Sequence, residues 1–408
     1  MRTVPGLCGL LAGLMWLVGT NAVQARVQLD TSVAPPYQTE EAGVLGGTAV
    51  TTLDCVFSRV GLPYEARVVP WRRAWFNLQN GLTDGVFSVM PHAEMETVAD
   101  LSGPLALEKW YWYARSAERL RAPGFPESAR LGVVLGSNVS GWLRTRGLAP
   151  VEEVTSERQL LQLLDNDRID AFLADSRTVE ALLERHAAGV ALFSRFERYM
   201  PLAAYFSHRF LTSRPGFLAR FNGALADCNT ESMQLSAGEQ LRLTRLLESN
   251  LAPLVRSREV LGALRQRRET QPLLPETRIM ALDQQWRAEI GVTPQPLIQA
   301  VLAEPLSRFL AAFESHHQDL YNELLVVDRQ GLNVGISRVS SDYWQGDEEK
   351  FSRVFPPATS DHHMGAIEYD ASTGRFQVHI SVRVVDPDTG TALGVLIAGV
   401  DVEALLQE

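Results

Sequence analysis

Lysine is almost missing from this chain. Of 38 basic residues only Lys109 and Lys350 are lysines, and with 48 acidic residues the formal net charge is -10. Such a balance offers no basic footprint and excludes a general nucleic-acid binder; the arginine skew itself, without clustering on phosphate-binding motifs, is read as coding bias. Cysteine is scarce too, with three in 408 residues. Beyond the start there is no run of about 18 uninterrupted apolar residues, which excludes a later membrane-spanning helix. There is no Gly-x-Ser-x-Gly elbow, no Gly-x-x-x-x-Gly-Lys-[Ser/Thr] phosphate loop, no short-period repeat and no low-complexity tract. What is present is ordinary for a folded chain: 46% apolar and 21% charged residues, in a length that suggests two or three domains.

The start has the layout of an export signal. Arg2 precedes an apolar run from Leu7 to Val18, and Val23 and Ala25 suit cleavage after Ala25. A signal over residues 1–25 implies a mature protein that is soluble and periplasmic. It also removes Cys8 and leaves Cys55 and Cys228, a natural disulfide pair in an oxidising compartment.

From residue 26 to 249 strand and helix patterns alternate. Strands are expected at Arg26–Leu29, Tyr64–Val69, Gly85–Val89, Trp110–Arg115, Arg130–Leu135, Ala171–Ala174 and Leu202–Phe206. Helices are expected at Gly46–Val60, Trp71–Asn80, Glu157–Leu164 and Val179–His186. That alternation predicts open α/β sheets. Residues 250–277 read as an Arg-rich helical linker ending in a proline-marked boundary, Gln271 to Thr277. Residues 278–408 differ: Arg278–His317 is mostly helical, interrupted near Pro294-Gln295-Pro296, and strands dominate thereafter as an antiparallel meander.

Several pieces of the first module resemble the extracellular solute-binding proteins of family 3, which bind amino acids and other small polar solutes. They are Asp30-Thr31 with Pro35-Pro36-Tyr37, Val68-Val69-Pro70-Trp71, Asp84 to Met90, Ala99 to Leu105, Leu131 to Ser137 and Arg168 to Asp175. The resemblance implies a type II periplasmic-binding fold of two lobes joined by two crossovers, near Tyr113–Ser116 and Tyr199–Leu202, with a solute in the cleft between them. It implies that Tyr37 borders the cleft, Trp71 stacks on the solute, Ser88 hydrogen-bonds it, Ser137 and Asn138 supply donors at a helix start, and Asp175 meets a ligand amine. From the residues alone, a Trp that begins a helix is as readily core, and Ser137-Asn138 is an N-cap signal in any case. One departure stands out. Where amino-acid binders carry an Arg that clamps the ligand carboxylate, this chain has Met95, and Ala34 replaces the aromatic before Pro35-Pro36; the ligand is left open.

The second module resembles the Cache (PDC-type) sensor domain through Val326 to Val334, Ser340 to Glu348 and Gly394 to Asp401. That resemblance implies an α+β domain, a long helix packed on an antiparallel sheet. Tyr343 and Trp344 would wall a ligand pocket, with Asp342, Asp347 or Arg338 as polar contacts; equally, the two aromatics cap a core. Neither a metal nor a cofactor is expected, because the pairs His316-His317 and His362-His363 have no Glu-x-x-His or Cys companion. The two resemblances together describe a non-enzymatic periplasmic sensing or binding protein for a small polar solute. Its signal would pass to a membrane partner in another chain, a sensor kinase, cyclase, chemoreceptor or ABC permease, since no output segment follows Val400. Alternatives are the solute-binding subunit of an ABC transporter and an enzyme on the same fold such as a dehydratase, for which Glu94, Glu96 and Asp175 are the acids at hand.

Overall fold

A computed structural model describes residues 26–185, 192–228, 233–317, 319–355, 360–370 and 374–407. The export signal expected over 1–25 lies outside them. The first module builds one curled eight-stranded sheet and a small hairpin, β2 (Thr39–Glu41) with β3 (Val44–Gly46). The sheet strands are β1 (Val27–Thr31), β4 (Tyr64–Val68), β5 (Gly85–Val89), β6 (Ala99–Ala114), β7 (Leu131–Val134), β8 (Glu152–Val154), β9 (Ala171–Asp175) and β10 (Phe193–Ser207). Their order is β4-β1-β5-β10-β6-β9-β7-β8.

That order explains two lobes in one sheet. β4, β1 and β5 are parallel to one another at one end, as are β9, β7 and β8 at the other. Between them run the two long antiparallel strands β6 and β10, paired with each other, β10 also pairing with β5 of the first triplet and β6 with β9 of the second. Of the short triplet strands β1, β5 and β9 are buried nearly throughout, as parallel strands covered on both faces are, whereas the edge strands β4 and β8 are half-exposed. The crossovers are therefore two long strands of sixteen and fifteen residues: the one expected at Tyr199–Leu202 falls in the middle of β10, whereas the one expected at Tyr113–Ser116 falls at the end of β6 rather than in its middle. Pro104, Gly103 and Pro201 hid that continuity, because they break a strand pattern on paper. Here they fall where the β6–β10 register shifts, beside Ala203.

The second sheet is antiparallel and contains β11 (Tyr321–Asp328), β12 (Asn333–Ile336), β13 (His362–Asp370), β14 (Arg375–Val385) and β15 (Ala392–Asp401), in the order β12-β11-β15-β14-β13. It is not the simple meander expected, since β15 inserts between β11 and β14. Nor does one long helix precede it. Three helices do, Glu276–Glu289, Pro296–Leu302 and Pro305–His316, because Pro296 and Pro305 each begin a new helix at its first turn. The segment read as a linker packs as core: Leu251, Leu254, Val255, Val260 and Leu264 are buried with Val378, Ile380 and Leu396 of the second sheet.

The same core reaches the first module. Leu107 of β6 and Phe196 and Tyr199 of β10 are buried in it beside Phe376 and Val400. Cys55, in the helix Thr48–Val60, and Cys228, capping the helix Phe217–Asp227, form a disulfide across 173 residues with Cα atoms 5.8 Å apart. Among the described residues no helix is long and apolar enough to cross a membrane.

Candidate functional site between the lobes

Strand ends place the site. Tyr37 follows β1, Asp175 is the last residue of β9 opposite Trp110, and Asn138 begins the helix Asn138–Thr145 after β7. Tyr37 is held by close backbone contact: a Cβ at Gly47, whose φ is +105°, would sit 2.5 Å from the Tyr37 carbonyl oxygen, so only glycine allows that approach. The Tyr37 ring is buried, and its hydroxyl oxygen lies 2.9 Å from the Leu107 carbonyl and 3.1 Å from Asp175 Oδ1. A residue of one lobe thereby touches a residue of the other.

Asp175 is fully engaged. Its Oδ1 also accepts from the Lys109 backbone N–H at 2.8 Å, and its Oδ2 accepts from the backbone N–H and the hydroxyl of Thr178 at 3.2 and 3.3 Å. Beside it, on β6, stands a residue that the sequence reading did not single out. Glu108 is buried, with Oε2 accepting from Trp110 Nε1 at 2.8 Å and Oε1 from Asn138 Nδ2 at 3.1 Å. Burial, reinforced by the Asp175 charge, pushes its carboxyl up to about 8; burial raises Asp175 as well. Neither carboxylate is in an ion pair among the described residues. Two buried acids with hydrogen bonds but no countercharge favour either a proton or an incoming cation.

The other expected contacts are distributed unevenly. Ser88 takes a left-handed backbone, φ +59°, within β5, and its buried hydroxyl has no partner. A non-glycine residue in that conformation inside a strand stores strain of the kind found at ligand clamps. Trp71 opens the helix Trp71–Gln79 and is 41% exposed, free to offer a ring face. Ser137 is occupied locally: its hydroxyl caps Ser140 N–H at 3.1 Å and donates to the Val134 carbonyl at 2.7 Å. Asn138 is turned onto Glu108. Met95 lies in a core with Ala74, Val86, Val89 and Tyr205, so the place of the expected arginine is filled by packing rather than by a contact to the cleft.

In the second module the loop after β12 is pinned by Asp283, whose Oδ1 accepts the backbone N–H groups of Tyr343 and Trp344 at 3.0 and 3.1 Å. Tyr343 packs on Trp286 at 5.4 Å and Trp344 Nε1 donates to the Gln330 carbonyl at 2.8 Å. Both aromatics close the core there. Asp342 pairs with Arg287 at 2.8 Å, Arg338 pairs with Glu314, and Asp347 is exposed. The polar centre of this module is elsewhere, and the sequence reading missed it. The His379 ring on β14 lies 2.9 Å from Glu323 Oε1 and 3.3 Å from Glu368 Oε2. Those two carboxylates outweigh burial and push the imidazole up to about 9. Among the described residues no three metal-ligating side chains are grouped to hold an ion.

Behind the inter-lobe site, Lys109 points to the opposite face of β6. Its Nζ lies 2.6 Å from Glu239 Oε2 with both side chains buried, and Tyr199 of β10 donates its hydroxyl to Glu239 Oε1 at 2.7 Å. Tyr199 N–H in turn donates to Glu403 Oε1 at 2.7 Å, and its ring meets Phe376 edge-on at 5.5 Å. Glu108 thus faces the inter-lobe site, while its neighbour Lys109 holds Glu239, which bonds the Tyr199 that touches the second module.

No protein-family model matches the chain, and no curated protein matches it either. Solved structures do show likeness. The arginine-, lysine-, histidine-binding protein ArtJ from Geobacillus stearothermophilus aligns over 50% of this chain and 89% of its own at 18% identity, TM-score 0.38. The L-cystine solute receptor of Neisseria gonorrhoeae covers 50% of this chain and 87% of its own at 19% identity, TM-score 0.39. An ancestral amino acid-binding protein described as a precursor of cyclohexadienyl dehydratase covers 50% and 88% at 16% identity, TM-score 0.39.

Proposed function

We propose that this protein binds a small polar solute carrying a positive group between its two lobes, outside the cytoplasm, and hands the resulting movement to its second module. The observation that carries the reading is the meeting of Tyr37, Glu108, Asn138 and Asp175 at the crossover strands, with two buried carboxylates outside any ion pair. A cation entering there replaces the proton on Glu108 and gains a charge-assisted contact in a low-dielectric site. Trp71 and the unpartnered Ser88 hydroxyl supply a stacking face and a hydrogen bond. A membrane partner, whether a sensor kinase, cyclase, chemoreceptor or ABC permease, then reads the closed form. The periplasmic location rests on the leader-like start, and the sensor role of the second module on its sequence resemblance.

The test is a thermal-shift screen of the intact protein against basic amino acids, polyamines, neutral sugars and dicarboxylates. A solute that binds only the folded state raises Tm by mass action. Cationic solutes should do so, and Glu108→Gln and Asp175→Asn should each abolish the shift. No shift with any panel, or one indifferent to both substitutions, overturns the reading. A second reading draws on Glu108 alone: an acid held protonated near neutral pH is what acid-catalysed dehydration of a cyclic substrate requires. Turnover of cyclic hydroxy acids that disappears in Glu108→Gln would favour that enzyme over a binder.

A further inference from the structure

Three helices, Ala237–Leu246, Pro305–His316 and Val402–Gln407, meet around a surface hollow of about 680 Å³. Arg242, Arg245, Leu246 and Ser249 line it at i, i+3, i+4 and i+7, the spacing of one helical face, so both arginine side chains leave the helix on the side that borders the hollow. The first helix passes there into a π-helical turn, Leu247–Leu251, a form frequent at functional sites. Ser249 and Asn250 on that turn add a hydroxyl and an amide to the wall. Across from them stand His316 and His317, at the end of the second helix. The His317 ring is held in place, with Nδ1 2.8 Å from the Phe313 carbonyl and its centroid 4.3 Å from that of the Phe313 ring. Buried leucines, Leu246, Leu320 and Leu405, complete the lining.

We propose that this hollow is a binding site for a phosphate-bearing anion. In a chain of formal net charge -10, every titratable residue among those described in its wall is basic: Arg242, Arg245, His316 and His317. Neither arginine is in an ion pair among the described residues. The acids on neighbouring elements are engaged elsewhere, Glu314 with Arg338, Asp319 with Arg375 at 3.8 Å and Glu403 with the Tyr199 N–H; Glu248 is exposed and outside the described wall. Two permanent cations on one helix face repel each other until a counter-anion sits between them. A guanidinium donates through parallel N–H groups to a pair of oxygens, and a phosphate has oxygens left over for the hydroxyl, the amide and the imidazoles, which a monocarboxylate lacks. The carbonyls at the end of Pro305–His316 oppose an anion less than bare ones would, because Phe313 accepts from His317 Nδ1 and Glu314 from the His317 backbone N–H. The bound anion would tie Ala237–Leu246 to Pro305–His316.

The probe is pyrophosphate, compared with acetate at constant ionic strength and titrated calorimetrically into the full chain. Pyrophosphate should bind saturably, and acetate at least about tenfold more weakly. Arg242→Gln with Arg245→Gln should weaken pyrophosphate by about tenfold or more. Arg258→Gln with Arg268→Gln, which removes two exposed charges elsewhere, should leave it unchanged. Two further arms distinguish the source of the phosphate. Binding of glycerol 3-phosphate assigns a soluble ester; flotation with phosphatidylglycerol but not phosphatidylcholine vesicles, lost in the first double variant, assigns a lipid headgroup. Absence of saturable pyrophosphate binding overturns the proposal, as does binding that survives the loss of Arg242 and Arg245 or falls equally in both double variants. Should the first double variant fail to fold by circular dichroism, Arg245→Gln decides alone.

Discussion

Single residues with unusual protonation give the most direct tests. Glu108 has a folded-state value near 8, above the ordinary carboxylate range, so the folded chain holds a proton that the unfolded chain releases. Stability from this group is fully present below about pH 4.5 and is lost as pH rises through about 8. Glu108→Gln should therefore gain on the wild type by about 1–3 kcal/mol between about pH 5 and pH 8.5, read as diverging urea midpoints. His379 is a base raised to about 9. Its contribution is complete below about pH 6.5 and fades as pH rises through about 9. His379→Gln should be less stable than the wild type near pH 6, with the gap closing by about pH 9.5. The two lysines belong at this scale as well. Their rarity reads on paper as coding bias, yet both sit in ionic clusters, Lys109 against Glu239 and Lys350 at 3.0 Å from Glu348, within the field of His379. A compact ammonium fits where a planar guanidinium would need more room and more acceptors, so Lys109→Arg should destabilise although it keeps the charge.

At the scale of elements, the long strands β6 and β10 do the joining. Breaking the buried pair on β6 by Lys109→Met leaves Glu239 uncompensated and should cost about 3–5 kcal/mol in chemical denaturation; removing both charges with Lys109→Met and Glu239→Leu should cost less than the sum. The disulfide ties the helix Thr48–Val60 to the end of the helix Phe217–Asp227, and it closes a long loop in the unfolded chain. Replacing Cys55 and Cys228 by serine should lower stability by roughly 2–5 kcal/mol, measured against the oxidised protein without reductant. Short elements were legible. The helix expected at Trp71–Asn80 is found at Trp71–Gln79, and the one expected at Glu157–Leu164 runs to Asp165. Both have their apolar residues at helical spacing on one face. The long strands were not legible, because a strand that passes from one lobe to the other changes which side is buried partway along and carries prolines at its register shifts.

For the whole molecule, the decisive feature is that the second module rests on the crossover strand β10 through Tyr199. Tyr199 touches both Phe376 and Glu403 there, and a change between the lobes should reach these two residues if the modules are coupled. Tyr37→Phe, which removes the inter-lobe hydroxyl, should speed amide exchange in the lobes and in β14 together. The same substitution combined with Tyr199→Leu should confine the change to residues 26–207. Faster exchange limited to the lobes in Tyr37→Phe alone would mean that the modules are uncoupled.

Local chemistry was written in the sequence: alternating apolar runs for the α/β half, turn signals, and a cysteine pair that the structure joins. Long-range placement was not. Nothing near Glu108 in sequence announces that Asp175, 67 residues on, will share its burial, or that Lys109 will turn its back on the site to reach Glu239. Those outcomes depend on which strands become neighbours in the sheet. Alternation along β6 sends Glu108 to one face and Lys109 to the other, and only the packed partners decide that the first meets Trp110 and Asn138 and the second Glu239 and Tyr199.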